Sequence, residues 1–355
     1  MRVGIVTIYN SQNCGSFLQS LALLTYVKEL GYDTAIAKNK MYYKNKLFYR
    51  CMMSFKYILK GQMKKAARIL KTSVGFSRCR KKHHNYRLVK NNDLCIYGSD
   101  TIWNFDGDYF GKEWRHYWGA GYGGKKIAYA PSIGPTDAEK IVENPQLCDC
   151  IKDFSSLSVR DEGTYRVVSS VLGEKANLPY VVDPTMLMPR VFYEGIANEC
   201  KDRDFILFYY FGAVDKAYMQ EIKSYAEKNG KRLICFGDNI TGVDKNVCFN
   251  PLDMLGYYVA ADMIITNTFH GNVFSLIFNK PFVNIDAGKA KVDDLLLQFE
   301  LSGRTSKSPQ DFLKIASENI DFANANRLLE EMRAFSADYI KNALKKCEGS
   351  VNNAC

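Results

Sequence analysis

Short apolar runs, each broken by a polar or glycine-bearing turn and followed by a helical pattern, recur along the chain. Residues 2–8, 34–37, 93–97, 127–130 and 157–159 form the first set. Such runs are too short for core helices. An uninterrupted apolar character, without alternation, fits strands buried on both faces. Strands of that kind are parallel and need helical crossovers, which limits the chain to an α/β layer architecture. The intervening segments fit that role. Residues 16–30 place Phe17, Leu18, Leu21, Ala22 and Leu24 on one side and stop at Gly31. Thr136 with Glu139 has capping-box spacing. A Pro-containing, charged stretch at 184–204 is followed by a second set of strands at 205–211, 232–236, 263–266 and 282–285. Helices are expected at 216–229, 251–261 and 271–278. A terminal helix at about 323–346 is expected to pack back across both halves. The expected architecture is two doubly wound α/β domains, 1–190 and 191–355, facing a cleft. Ligands bind such sheets at the carboxyl ends of the strands.

Composition narrows the function classes. No run of about 18 apolar residues occurs, so no membrane-spanning helix is expected. The first residues enter a strand directly and read as no secretory leader. The chain has 11 Cys, an odd number with no CxxC pair, and no zinc site is expected. Reduced thiols packed as small hydrophobes fit a cytoplasmic protein. The net charge of +10 conceals an asymmetry: residues 34–92 carry 17 Lys or Arg and no Asp or Glu, leaving 31 basic against 38 acidic residues elsewhere. The chain is an acidic globule with one basic segment.

Four strand-to-helix junctions concentrate polar residues. In the first, Asn13-Cys14-Gly15-Ser16-Phe17-Leu18-Gln19, the backbone at Gly15 and Ser16 stands where a helix start could receive an anion; the alternative is a polar turn with Ser16 as N-cap. No GxGxxG or Walker pattern is present. In the second, Gly98-Ser99-Asp100-Thr101-Ile102-Trp103-Asn104, Asp100 could orient or deprotonate a sugar hydroxyl with Trp103 as a stacking platform; alternatively Asp100 is a cap and Trp103 a core residue. In the third, Ser158-Val159-Arg160-Asp161, Arg160 suits a phosphate or carboxylate, or else pairs with a neighbouring acid. In the fourth, a buried strand runs into Asn267-Thr268-Phe269-His270-Gly271-Asn272, which places His270 near a helix N-terminus. The other three histidines are His83, His84 and His116.

Taken together, these loops resemble the polysaccharide pyruvyl transferase family. The resemblance rests on N-x-G-[SD]-x-L-Q at Asn13 to Gln19, GSDxxWN at Gly98 to Asn104 and S-x-R-[DE] at Ser158 to Asp161. It rests also on an HG motif at His270-Gly271, with Thr268 where Ser is commoner, on Asp183-Pro184-Thr185, and on Lys280-Pro281. The resemblance implies a GT-B-like pair of Rossmann domains. The implied reaction uses phosphoenolpyruvate as donor substrate, with no cofactor and no metal, and forms a pyruvate ketal on a sugar. His270 and Arg160 are the implied donor-side residues, and Asp100 the acceptor-side base. Asn13, Gly15, Ser16, Gln19, Ser99, Trp103, Asn104, Asn267, Thr268, Gly271 and Asn272 are the expected substrate-binding residues. Phosphoenolpyruvate carries roughly three negative charges and needs a cationic cradle. His270 is the natural acid, because a bound polyanion draws a proton onto the ring.

Two other readings share parts of the pattern. A nucleotide-sugar glycosyltransferase would have the same architecture, with Gly237-Asp238-Asn239 toward a diphosphate. A non-enzymatic membrane or nucleic-acid adaptor would use the basic segment and its aromatics. No recognised nucleic-acid motif accompanies that segment, so no nucleic-acid partner is expected. Within 38–92, Phe55, Ile58, Leu59, Ala66, Ile69 and Leu70 follow helical spacing, with Lys56, Lys60, Lys64, Lys65 and Arg68 between them. The expectation is a basic insertion in the N-terminal domain. It would touch anionic lipid at the inner face of the cytoplasmic membrane and meet a polyprenyl-diphosphate-linked acceptor. A helix packed on its domain with a solvated basic face is the alternative.

Overall fold

The computed structural model describes residues 1–38, 46–106, 110–173, 177–237, 239–247 and 250–352. They form two compact units. The first comprises Met1–Lys46, Arg80–Met188 and Glu330–Cys355, and the second Leu47–Cys79 and Pro189–Leu329. The chain therefore divides near the expected boundary, with two exchanges. The helical segment from Leu47 to Cys79 belongs to the second unit rather than forming an insertion of the first. The end of the terminal helix returns to the first unit.

The first unit is built on strands β1 (Arg2–Val6), β2 (Asp33–Lys38), β3 (Tyr86–Leu88), β4 (Leu94–Tyr97) and β5 (Lys125–Ala128). They lie in the order β3-β2-β1-β4-β5, and every pairing is parallel. Val3 stands opposite Thr34 on one side and Leu94 on the other. The central strands are buried along nearly their whole length, as their unbroken apolar runs require. Helix α1 (Cys14–Glu29) follows β1 and starts earlier than its apolar pattern suggests. Asn13, not Ser16, is its cap, accepting from the Gly15 and Ser16 amides. Residues 157–159 do not join the sheet as a strand. They make isolated bridges only, Ile127 to Ser156 and Val159 to Tyr180, because the run is too short to extend a ladder. Thr136 is likewise no cap; Asp137 takes that role for the helix Ala138–Val142. The core on one side of the sheet stacks Trp103 on Trp118, with Phe154 edge-on to both Trp103 and Tyr97. The terminal helix Phe322–Asn352 is tied to this unit by Ser336 Oγ, which accepts from the Val182 amide, and by Tyr339, which donates to the Ala128 carbonyl.

The second unit contains β6 (Phe205–Tyr209), β7 (Arg232–Phe236), β8 (Lys245–Val247), β9 (Met263–Thr266), β10 (Phe282–Ile285) and β11 (Thr305–Ser306), ordered β11-β10-β9-β6-β7-β8. All are parallel. Both orders are those of a dinucleotide-type doubly wound sheet, in which the strand sequence reverses beside the first strand. The reversal falls between β1 and β4 in the first unit and between β6 and β9 in the second. The short edge strands β3, β8 and β11 carry no apolar run of their own and are recruited by their neighbours.

The basic segment is two helices rather than one, α2 (Lys46–Leu59) and α3 (Met63–His83), with a turn at Gly61. Residues 39–45 of the expected segment lie outside the described residues. Within the second unit, Ser54 Oγ donates to the Ala66 carbonyl at 3.0 Å and joins the two helices. Arg68 donates to the Gly237 carbonyl. The Cys79 thiol donates to Asn250 Oδ1 at 3.3 Å. These contacts, and the burial of Ala66 and Phe76, give α2 and most of α3 to this unit.

In the first unit, His84 is enclosed. Its Nε2 lies 3.2 Å from Ser20 Oγ and its ring stacks on Phe17 at 4.8 Å. Desolvation, reinforced by Arg80, pushes its pKa down from 6.5 to about 3. Burial takes His116 down to about 4. The unfolded chain therefore binds protons that the fold refuses. Stability is full above about pH 6.5 and falls as pH drops toward 3. At pH 5 the His84 contribution alone is about 2 kcal/mol of lost stability. Urea unfolding at pH 7 and pH 5 should show this loss, and a His84→Gln protein should show a smaller one. Equal losses in the two proteins would remove His84 as a source.

Candidate active site

In the first unit, the loops after β1 and β4 leave the sheet at the point where the strand order reverses. Gly98 ends β4 with φ +130°, and a Cβ there would stand 1.9 Å from the Tyr129 carbonyl oxygen. Only glycine lets the loop turn so close to the next strand. The loop then presents Ser99 and Asp100 to the network built by its neighbours. Thr7 Oγ1 donates to the Ser99 carbonyl at 3.0 Å and accepts from the Gln19 amide at 2.8 Å. Ser16 Oγ donates to Asp100 Oδ2 at 2.6 Å, and the Thr101 amide donates to Asp100 Oδ1 at 2.8 Å. Ser99 Oγ donates to Asp183 Oδ2 at 2.9 Å and accepts from Arg160 at 2.9 Å.

Arg160 is fixed by acids. Its side chain pairs with Asp183, and its Nε lies 3.8 Å from Asp161 Oδ2. All three side chains are buried. Each aspartate is held in turn: Asp161 caps the helix Glu162–Leu172 and Asp183 caps Pro184–Leu187, where it accepts from both the amide and the hydroxyl of Thr185. A buried guanidinium without these partners would be strongly disfavoured. The network thus holds three carboxyl groups, on Asp100, Asp161 and Asp183, to one guanidinium. Arg160 is not the open cation that its place in the sequence suggests.

Other expected residues are also scaffold. Asn13 Oδ1 takes the Gly15 and Ser16 amides at 2.8 and 3.3 Å, so those donors do not face an anion. Gln19 is fully buried and holds Thr7 and the Ser16 carbonyl. Trp103 is fully buried in the stack with Trp118, which leaves no ring face for a sugar. Asn104 Oδ1 accepts from Thr136 Oγ1 and the Asp106 amide and shapes the loop.

In the second unit, the corresponding reversal lies between β6 and β9. Asn267 spans it: its Oδ1 accepts from the Phe211 amide at 3.1 Å and its Nδ2 donates to the Phe211 carbonyl at 2.8 Å. The loop after β6 is thereby locked to the loop after β9. Thr268 then caps the helix Phe269–Ile277, accepting from the Gly271 amide at 2.9 Å. The helix starts two residues before its apolar run because of this cap. Gly271 is required by space, since a Cβ would lie 2.0 Å from Thr266 Oγ1. Asn272 is fully buried and donates to the Thr268 carbonyl and to Asn284 Oδ1, bracing the turn against β10. His270 sits in the first helical turn, nearly buried, with its ring edge-on to Phe269 at 5.3 Å.

Two lysines that the motif reading passed over stand beside this turn. Lys289 Nζ donates to the Asn267 carbonyl at 2.8 Å, and burial lowers its pKa. Lys291 Nζ lies 5.7 Å from the centre of the Phe269 ring. Their signal in the sequence is Gly288-Lys289-Ala290-Lys291, directly after the strand Phe282–Ile285. The positive end of the helix adds to them, while Asp286, Asp293 and Asp294 lie in the same segment. Asp183 was the other omission, visible only as the first residue of Asp183-Pro184-Thr185. Asp238 of the Gly237-Asp238-Asn239 turn lies outside the described residues. Among the described residues, no group of three or more His, Cys, Asp or Glu side chains converges as a metal site.

The fold has solved counterparts. The chain is similar to a putative UDP-N-acetylglucosamine 2-epimerase from Listeria monocytogenes, with a TM-score of 0.52 and 8% identity over 97% of this chain and 95% of that one. It is similar also to UDP-GlcNAc 2-epimerase from Methanocaldococcus jannaschii (TM-score 0.51, 11% identity, 92% and 95% covered) and to that from Neisseria meningitidis (0.50, 9%, 98% and 100%). At these identities the likeness concerns the fold, and it places the chain among two-sheet, GT-B-like α/β proteins. No curated protein sequence matches it significantly. The family is defined by sequence: the model of the family described as polysaccharide pyruvyl transferase matches residues 13–288. The chain belongs to the polysaccharide pyruvyl transferase family and is a transferase of that class.

The buried ion pair predicts a large asymmetry among variants. Asp183→Ala leaves the Arg160 guanidinium uncompensated and should cost about 3–5 kcal/mol in urea unfolding. Asp33→Ala removes an exposed partner of Arg87 and should cost under about 1 kcal/mol. Comparable losses would show that the Arg160 cluster is not the buried brace described here.

Proposed function

We propose that the protein moves the enolpyruvyl group of phosphoenolpyruvate onto two hydroxyls of one sugar. The product is a pyruvate ketal on a surface polysaccharide or its lipid-linked precursor, with release of phosphate. The observation that carries this reading is the opposite character of the two loop sets. The turn bearing His270 has two lysines, Lys289 and Lys291, and the positive end of a helix beside it. The network bearing Asp100 has an excess of carboxyl groups. A trianionic donor suits the first and neutral hydroxyls suit the second. Arg160 accordingly moves from donor binding to the acceptor side, where it fixes Ser99 and, through the loop, Asp100.

The chemistry balances with these groups. Protonated His270 gives its proton to the methylene carbon, and the adjacent carbon becomes oxocarbenium-like. One sugar hydroxyl adds there and passes its proton to a phosphate oxygen of the donor. The bond from that carbon to the bridging oxygen then breaks, and phosphate leaves with the bonding pair and that proton. The second hydroxyl adds to the same carbon and returns a proton to His270.

Phosphate release from phosphoenolpyruvate across a panel of sugar acceptors tests the reaction. His270→Gln should lower turnover by about 10²- to 10⁴-fold. Lys289→Ala and Lys291→Ala should each raise the KM for phosphoenolpyruvate by roughly tenfold, whereas Arg160→Lys should leave that KM near the parent value and raise the KM for the acceptor. Isothermal titration separates the runner-up reading. Binding of a sugar nucleotide with none of phosphoenolpyruvate would replace this proposal with nucleotide-sugar transfer.

A further inference from the structure

The helices α2 and α3 are amphipathic in the wrong direction for a surface pair on a globule. Their apolar stripes face outward. On α2, Met52, Phe55 and Leu59 recur at spacings of three and four and are 57%, 60% and 73% exposed. On α3, Met63, Leu70 and Val74 follow the same spacing through the exposed Ala67 and are 61%, 37% and 41% exposed. The buried side carries the small or polar residues Ser54, Ala66, Thr72 and Ser73, with Phe76 the large exception. Large side chains that could have filled a core are thus spent on solvent, a costly arrangement for an unpartnered surface.

The charges around the stripes indicate what covers them. Lys56 and Lys60 flank the α2 stripe, and Lys64, Lys71 and Arg78 lie along one side of the α3 stripe. No Asp or Glu occurs anywhere from residue 34 to 92. A nucleic acid would be served by the lysines but gives Met, Leu and Val side chains nothing to enter. A bilayer with anionic headgroups meets both needs: aliphatic and aromatic side chains reach the acyl boundary while lysines stay among the phosphates. We propose that the α2–α3 pair is a docking surface for an anionic lipid bilayer. Met52, Phe55, Leu59, Met63, Leu70 and Val74 enter the interface, and the flanking Lys and Arg contact lipid phosphates. The proposal is independent of the reaction proposed above.

The test sediments the full-length protein with phosphatidylcholine vesicles, and with the same vesicles containing about 30% phosphatidylglycerol. Binding to the anionic vesicles alone is expected. Two variant sets should each weaken it by about tenfold or more: Phe55→Gln with Leu59→Gln and Met63→Gln, which leaves the charge unchanged, and Lys60→Gln with Lys64→Gln and Lys71→Gln. All six side chains face solvent, so both proteins should keep the parent's unfolding midpoint. A Phe55→Trp protein gives an independent readout, because lipids brominated in the acyl chain should quench its fluorescence well beyond that of the parent. No binding to anionic vesicles would overturn the proposal. Undiminished binding by the Phe55→Gln, Leu59→Gln, Met63→Gln set would overturn it too, since that is the behaviour of a purely electrostatic surface for nucleic acid or another polyanion. Absence of quenching would do the same, and would leave the stripes to a protein partner.

Discussion

The pairing of Arg160 with Asp183 governs the first unit's loops more than any other interaction. A buried guanidinium is tolerable only when its charge is matched and its N–H groups are met. Asp183 matches it, Asp161 stands on the other side, and Ser99 is drawn into the same network. Each partner also has a second task. Asp161 and Asp183 begin helices, and Ser99 is the residue through which the loop after β4 is fixed. The position of Asp100, one residue further on, follows from that fixture and from Ser16. The Asp100 carboxylate is thus held at both oxygens, by Ser16 Oγ and by the Thr101 amide.

The second unit reaches a similar end by neutral means. Asn267 gives both halves of its amide to the Phe211 backbone, and Thr268 caps the helix that carries His270. Amide-to-backbone clamps leave no net charge, and Lys289 and Lys291, which follow β10, stand beside the turn. The two loop sets resemble each other in topology, each at the strand-order reversal of its sheet. They differ in the groups that fix them: a buried guanidinium with its carboxylates in the first unit, amide and hydroxyl side chains in the second.

The α2–α3 pair carries a sequence signal whose period is legible and whose direction the sequence leaves open between a membrane surface and the domain. The helical spacing of Phe55, Leu59 and Leu70 is real. Ordinary amphipathic logic turns such a stripe inward. Here the buried side is taken by Ser54, Ala66, Thr72, Ser73 and Phe76, while Arg68 donates to the Gly237 carbonyl.

The amino-acid sequence alone determined the layer architecture and where its polar loops gather. Unbroken apolar runs admit only strands covered on both faces, and polar residues can then gather only at the strand ends. That is why Asn13, Asp100, Arg160 and His270 could be named from their neighbours. Family membership was legible for the same reason, since the motifs are those strand ends. Tertiary structure decided what each residue does there. Trp103 became core because Trp118 and Phe154 close over it. Asn13 rather than Ser16 became the cap because its Oδ1 meets two amides while Ser16 Oγ is engaged by Asp100. Arg160 was claimed by Asp183, a residue 23 positions away, and Lys289 was brought to Asn267 from the far side of β10. Spacing along a chain fixes which residues share a face. Which charges meet is settled only when separate strand ends are brought together, because pairing energies depend on distances and burial that no local pattern encodes.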